Sequence, residues 1–451
     1  MHPLAVLFVA IALVFLLIIR FKINAFIALI VAAATVGLLS PHIRLPEVMP
    51  KVAGLFGTVC GRIAIVIALA ALVGQAMMES GAADKIVRVF VRWLGESRAS
   101  LSLIGSSYVL ATPVFFDTVF YLLVPLARAM RIRTGRNYVL YVCSIAAGGA
   151  TAHSLIPPTP GPLAMAATLH VDLGLMILVG AIIGVPAALA GWLVAQLLDR
   201  KLNIPFREAP GLSLEELEEL ARRDDKTLPG FFHSLAPILL PVALITSNTF
   251  VQALRPESPL ARVTAFIGDP NFALLCSAVV GMHLLVRHRH YSLAELARPV
   301  ETAFASAGLI ILITAGGGAF GGMLVEAGVG KWLGNVSQQF QVPLLILGFL
   351  LAALMKVAQG SGTVSMITTS AILAPLAAAS QLPCHPVYLA TAIGSGSMVG
   401  SWMNDSGFWV FAKMSGLEES ETLQTWTVVL IVLGVAGLLA TLAMAALLPL
   451  R

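Results

Sequence analysis

Long apolar tracts recur from one end of the chain to the other, and charge is confined to the stretches between them. Leu4–Ile19, Ile63–Met78, Pro229–Val251 and Thr422–Leu450 are almost free of Asp, Glu, Lys and Arg. A helix needs about 20 mainly apolar residues to cross a hydrocarbon core roughly 30 Å thick, so these tracts predict membrane-spanning helices. The short segments of alternating polarity that build an outer-membrane barrel are missing from the sequence. In the first half the spans are expected at 4–19, 23–40, 58–79, 138–171 and 173–198. In the second they are expected at 229–251, 265–287, 301–325, 386–412 and 422–449. Two further tracts, 100–127 and 343–380, do not fit a simple crossing.

The reason lies in the charges. Cytoplasmic loops of membrane proteins are enriched in Lys and Arg. Span 58–79 leads into Lys85, Arg88, Arg92 and Arg98, and the tract after it ends at Arg128, Arg131, Arg133 and Arg136. Both clusters belong on the same side, so 100–127 is expected to enter and leave from the cytoplasm as a re-entrant hairpin. Pro113 near its middle disfavours a continuous helix. Arg20 and Lys22 follow the first apolar tract rather than precede it, which argues for a retained first span and not a cleaved leader. The same walk leaves both termini periplasmic. Between the halves, 200–228 reads as a solvated cytoplasmic linker around Leu214-Glu-Glu-Leu-Glu-Glu-Leu.

The halves resemble one another. Met78-Glu-Ser-Gly81 matches Val325-Glu-Ala-Gly328, Leu123-Val-Pro-Leu-Ala matches Leu373-Ala-Pro-Leu-Ala, and Gly148-Gly-Ala-Thr matches Gly394-Ser-Gly-Ser. These pairs are separated by 247, 250 and 246 residues, in the same order. Span 58–79 runs inward whereas 301–325 runs outward, so the second hairpin, 343–380, is expected to dip in from the opposite face. The expected fold is all-α and polytopic. It is an inverted-repeat secondary transporter of about 10 transmembrane helices and two re-entrant hairpins, with repeats at 1–199 and 229–451.

Composition agrees and narrows the class. Of the 451 residues, 58% are apolar and 11% are charged. Soluble proteins carry about 25% charged residues. A cytosolic enzyme, a secreted domain and a disordered chain are excluded. The net charge of +5 does not point to nucleic acid, because the cations sit at tract ends where they orient spans. Cys60, Cys143, Cys276 and Cys384 form no CxxC pair, so neither a disulfide frame nor a metal site is implied, and no cofactor is called for.

Four polar islands interrupt the apolar tracts. Two lie in the hairpins, at Thr112-Pro-Val-Phe-Phe-Asp-Thr-Val-Phe-Tyr121 and Lys356-Val-Ala-Gln-Gly-Ser-Gly-Thr-Val-Ser365. Two break spans: Gly148 to Pro162, with four prolines from Pro157 onward, and Gly394 to Gly407. Broken helices free carbonyls and amides, and a half-helix resuming near Gly161 would aim its N-terminus at the midplane. Ionisable groups here are Asp117, His153, Lys356 and Asp405, and a charge inside a membrane is functional by default. For Asp405 the structural alternative is an interfacial position near Lys413, and for Lys356 it is pairing with an acidic neighbour. Glu79 and Glu326, next to glycines at span ends, read as structural.

Pro113-Val-Phe-Phe-Asp-Thr-Val-Phe-Tyr, His153-Ser-Leu-Ile-Pro-Pro-Thr-Pro-Gly-Pro and Gly360-Ser-Gly-Thr-Val-Ser resemble the gluconate permease (GntP) family of the ion-transporter superfamily. The likeness covers essentially the whole chain. It implies inner-membrane, proton-coupled uptake of gluconate or a related hydroxy-acid by a homodimer embedded in the bilayer, with an elevator motion. Family members also carry idonate, fructuronate and D-serine. With that implication Asp117, then His153 and Asp405, are the expected proton carriers. Thr118, Thr151, Ser154, Thr159, Ser361, Gly362, Thr363, Ser397, Asn404 and Ser406 are the expected substrate contacts. Rival readings are a sodium-coupled carboxylate transporter, a D-serine permease and, from another class, an intramembrane enzyme. Against the enzyme, the spans hold no HExxH, GxSxG or metal-ligand cluster.

Overall fold

The computed structural model describes residues 3–94, 98–112, 115–202, 204–207, 228–292, 294–329, 343–379, 382–403 and 405–450. Every regular element among them is helical. In lipid this is what backbone chemistry requires, since a helix satisfies its own N–H and C=O groups. Eight of the described helices are long and apolar enough to cross a membrane. Large apolar side chains point outward along them, among them Phe232, Val279 and Leu439, at 61–81% exposure. In water such a surface would be an aggregation hazard, and in a bilayer it faces the solvent that it matches.

The first half runs α1 (Pro3–Phe15), α2 (Ala25–Leu39), α3 (Val48–Ser80), α4 (Ala82–Leu94), α5 (Ala99–Leu110), α6 (Phe116–Thr134), α7 (Tyr138–Leu155), α8 (Pro160–Thr168) and α9 (Leu173–Lys201). The second runs α10 (Phe231–Leu254), α11 (Pro259–Ile267), α12 (Pro270–Arg289), α13 (Ala297–Glu326), α14 (Leu344–Gln359), α15 (Gly362–Ala379), α16 (Val387–Gly396), α17 (Ser406–Ser415) and, continuing from a helical stretch at Glu419–Thr427 that ends in a π-helical turn, α18 (Val428–Leu447). The sequence α3, α5–α6, α7–α8, α9 recurs as α13, α14–α15, α16–α17, α18: a long helix, two interrupted pairs and a long helix. Tracts 100–127 and 343–380 are each occupied by two helices with a break between them.

Helix ends carry their own signals. Asn24 accepts from the Phe26 N–H at 2.9 Å, Asp172 from the Leu175 N–H at 2.8 Å and Asp269 from the Asn271 N–H at 2.9 Å. Each bond satisfies an orphan donor of a helix start. Two ends differ from the expected boundaries. Helix α3 begins at Val48 rather than at 58, and Lys51 in its first turn pairs with Glu326 of α13 at 2.7 Å. Helix α6 continues to Thr134, so Arg128 lies within it and is buried, not in a basic loop. Its guanidinium donates to the Tyr138 hydroxyl (3.2 Å), the Ser415 carbonyl (3.4 Å) and the Arg207 carbonyl (2.6 Å), and it sits 4.7 Å from the Phe206 ring centroid.

Small residues let the helices approach. Gly318 and Gly322 of α13 lie one turn apart against Val59 and Leu55 of α3, the spacing of close membrane helix packing. At Gly148 of α7 the contact is with backbone: a Cβ there would fall on the Ile104 carbonyl oxygen of α5. The result is a graded burial. The α7–α8 segment is 89% buried over its most apolar window, against 28% for α10 and 33% for α3. The proline-broken element is therefore wrapped by the others, and its break is held at the centre of the molecule.

Candidate functional site

Interruptions in three helix pairs, and the end of α7 before its own break, border one cavity. Gly360, at φ 90°, turns the chain between α14 and α15. That conformation is open to glycine but strained for an L side chain. Gly400, at φ 79°, does the same in the break between α16 and α17. The break between α7 and α8 falls at Ile156–Thr159, where Pro157 and Pro158 cannot continue a helix. The fourth separates α5 from α6, with Phe115 leading into α6. The cavity has a volume of about 230 Å³.

Its wall holds nine of the residues expected as proton carriers or substrate contacts, Asp117, His153, Ser154, Ser361, Gly362, Thr363, Ser397, Asp405 and Ser406, together with Lys356. Two others are buried elsewhere. Thr159 Oγ1 donates to the Ile156 carbonyl at 2.5 Å, closing the proline turn on itself, and Thr151 Oγ1 is enclosed off the wall with no hydrogen-bond partner among the described residues. Asn404, Pro113 and the Thr118 side chain lie outside the described residues. The start of α8 is also off the wall. Pro158 and Pro160 line a smaller void with Ile67 and Ala70 of α3, and Phe115 lines both spaces.

The strongest feature is an ion pair. Lys356 Nζ lies 2.6 Å from Asp405 Oδ2, with the two side chains only 5% and 8% exposed. Lys356 Nζ also donates to the Gly360 carbonyl at 2.5 Å, tying the pair to the α14–α15 turn. Asp405 Oδ1 accepts from the Gly407 N–H at 3.1 Å and so caps α17. The Ser401 hydroxyl donates to Asp405 Oδ2, and Trp426 Nε1 donates to Ser401 Oγ at 2.6 Å. Lys413, the cation nearest Asp405 along the chain, lies instead 3.7 Å from Glu419. Buried charge survives only when paired and hydrogen-bonded, and these groups meet that condition.

Two polar groups on the wall are not tied down. Among the described residues Asp117 makes no hydrogen bond or ion pair, and His153 Nδ1 is buried without a hydrogen-bond partner. The N-termini of α6, α15 and α17 reach the same cavity, and each carries the partial positive charge of a helix start. The site can thus receive a small polar anion, with hydroxyls for further hydroxyls and titratable groups for a proton. Sequence reasoning did not find Trp426, Phe115 and Phe116 as wall residues. Trp426 lies in what hydropathy reads as an uninterrupted span, and its indole N–H gave no local sign of a partner.

Residues 2–448 match the model of the GntP family permeases. The chain belongs to the GntP permease family. The permease is 34% identical to a gluconate permease of Pseudomonas aeruginosa over 94% of its own length and 93% of the relative's. It is 33% identical to a low-affinity gluconate transporter of Escherichia coli K12, over 95% of each chain. Its fold is similar to that of the YdaH transporter of Alcanivorax borkumensis, with a TM-score of 0.65 at 13% identity, over 94% of this chain and 98% of that one. It is a multi-pass membrane transport protein and not an enzyme.

Proposed function

We propose that this permease takes up gluconate or a closely related sugar acid across the bacterial inner membrane, coupled to protons. The observation that carries the reading is the central cavity, where chain breaks bring hydroxyls, helix starts and titratable side chains together. A sugar acid is an anion with several hydroxyls. Helix N-termini suit the carboxylate, and Ser154, Ser361, Thr363, Ser397 and Ser406 supply donors and acceptors for the hydroxyls. The relatives named for gluconate support the same substrate class. Asp117, His153 and Asp405 are the groups proposed to take up the proton.

In this reading α5–α6 and α14–α15 are re-entrant hairpins entering from opposite faces, both termini are periplasmic, and the permease is a homodimer. The broken pairs move as a unit against a scaffold that contains α3 and α13, which is alternating access of the elevator type. The deciding measurement is labelled gluconate uptake into proteoliposomes with proton and sodium gradients imposed separately. Accumulation driven by an inward proton gradient alone is expected. Accumulation only with sodium would replace the coupling ion. A thermal-shift response confined to D-serine or citrate would replace the substrate class.

A further inference from the structure

The Lys356–Asp405 pair faces the cavity with a composition that links binding an anion to binding a proton. An ammonium has three donors. Two of those on Lys356 go to Asp405 Oδ2 and the Gly360 carbonyl. Gly362 puts no side chain on the wall beside the ammonium, where a Cβ would stand in contact with Nζ at 3.9 Å, and Lys356 itself lines the cavity. A substrate carboxylate can therefore approach the third donor. The groups facing Asp405 that titrate are Lys356 from α14, Asp117 from α6 and His153 from α7; the wall residues of α15 to α18 other than Asp405 do not titrate. Lys356 is accordingly the wall's one permanent cation among the described residues, and Asp405 already neutralises it. A second carboxylate brought to this buried pair leaves an unbalanced negative charge, which a low-dielectric site does not tolerate.

We propose that Lys356 is the residue that binds the substrate carboxylate and that Asp405 is its exchangeable counter-ion. As the sugar acid takes the ammonium, one proton from water on the loading side bonds to Asp405 Oδ2, and release of the substrate returns it. Total charge in the cavity is unchanged, so anion and proton travel together. The neighbours suit both states of Asp405. Ser401 Oγ has two acceptor lone pairs, of which Trp426 Nε1 uses one. Its hydroxyl donates to the carboxylate form, and its second lone pair accepts from the protonated form. This assignment rests on the sugar-acid reading and adds to it the side chains that enforce coupling.

Gluconate binding to the purified permease, measured calorimetrically in buffers of different ionisation enthalpy, counts the protons taken up. The wild type is expected to take up about one proton per gluconate. Its affinity should fall about tenfold per pH unit on the alkaline side, because the complex holds the extra proton. D405N is expected to bind gluconate without proton uptake and with a flat pH profile. D405N also strands Lys356, so the uncharged K356Q/D405N double variant is measured beside it. That variant should fold and lose at least tenfold in gluconate affinity at low pH. Wild-type proton uptake in D405N, its loss in D117N or H153Q but not in D405N, or wild-type affinity in the double variant would overturn the exchange. A wild-type protein that binds no sugar acid would overturn the substrate reading itself, and the two failures are distinguishable.

Discussion

Asp405 shows why a buried charge cannot be interpreted from its sequence neighbours. Lys413 is the nearest cation along the chain, yet the partner is Lys356, 49 residues away on another helix. The sequence did show that Asp405 lies in a polar break inside an apolar tract. It did not show which cation reaches it, because that depends on how α14 lies against α16 and α17. Trp426 extends the same network, and W426F removes the one described donor to Ser401 Oγ. A cost of about 1 kcal/mol is expected, read as a lowered unfolding midpoint together with weaker stabilisation by gluconate. Arg128 makes the opposite point. It counts as a topological charge in the sequence, but its guanidinium bridges α6, the α17 end and the start of the linker. R128K cannot reproduce a planar fork that stacks on Phe206. Both R128K and R128A are expected to destabilise by roughly 2–3 kcal/mol, and a wild-type melting curve for either would contradict that role.

At the scale of elements, breaks are the legible feature and their facing is not. Four prolines between 157 and 162, and glycines at 360, 396 and 400, mark where helices end. Helix boundaries at Leu155, Gln359 and Gly396 follow them. Which side of a break meets the cavity is decided by packing. Thr159 turns its hydroxyl onto its own turn, and Thr151 is buried off the wall. Close packing has its own test. Gly148 meets the backbone of α5, whereas Gly57 of α3 has nothing within 4 Å of where a Cβ would stand. G148A is expected to lower folded yield and thermal stability, because backbone cannot yield as a side-chain tip can. G57A should be neutral or gain up to about 1 kcal/mol from helix propensity. Equal melting points for the two variants would show that the α5–α7 contact is not limiting.

Across the whole molecule, the proposed elevator motion demands that some helix contacts break in each cycle while others persist. Gly317 of α13 lies against Ile367 of α15, and Gly322 of α13 against Leu55 of α3. In a background lacking Cys60, Cys143, Cys276 and Cys384, oxidised G317C/I367C is expected to arrest uptake until reduced. Oxidised L55C/G322C, within the scaffold, should not. Uptake that continues across the first cross-link would sink the elevator assignment. The sequence by itself determined that the protein is a polytopic helical permease of the GntP family, and where its helices break. Lipid imposes long uncharged runs, and breaks require Pro, Gly and small polar residues that local chemistry makes visible. Only the tertiary structure decided that Lys356 meets Asp405, that Trp426 joins them through Ser401, and that Arg128 is internal. Those contacts join residues far apart in the chain, and the close packing of whole helices, which no local pattern encodes, brings them together.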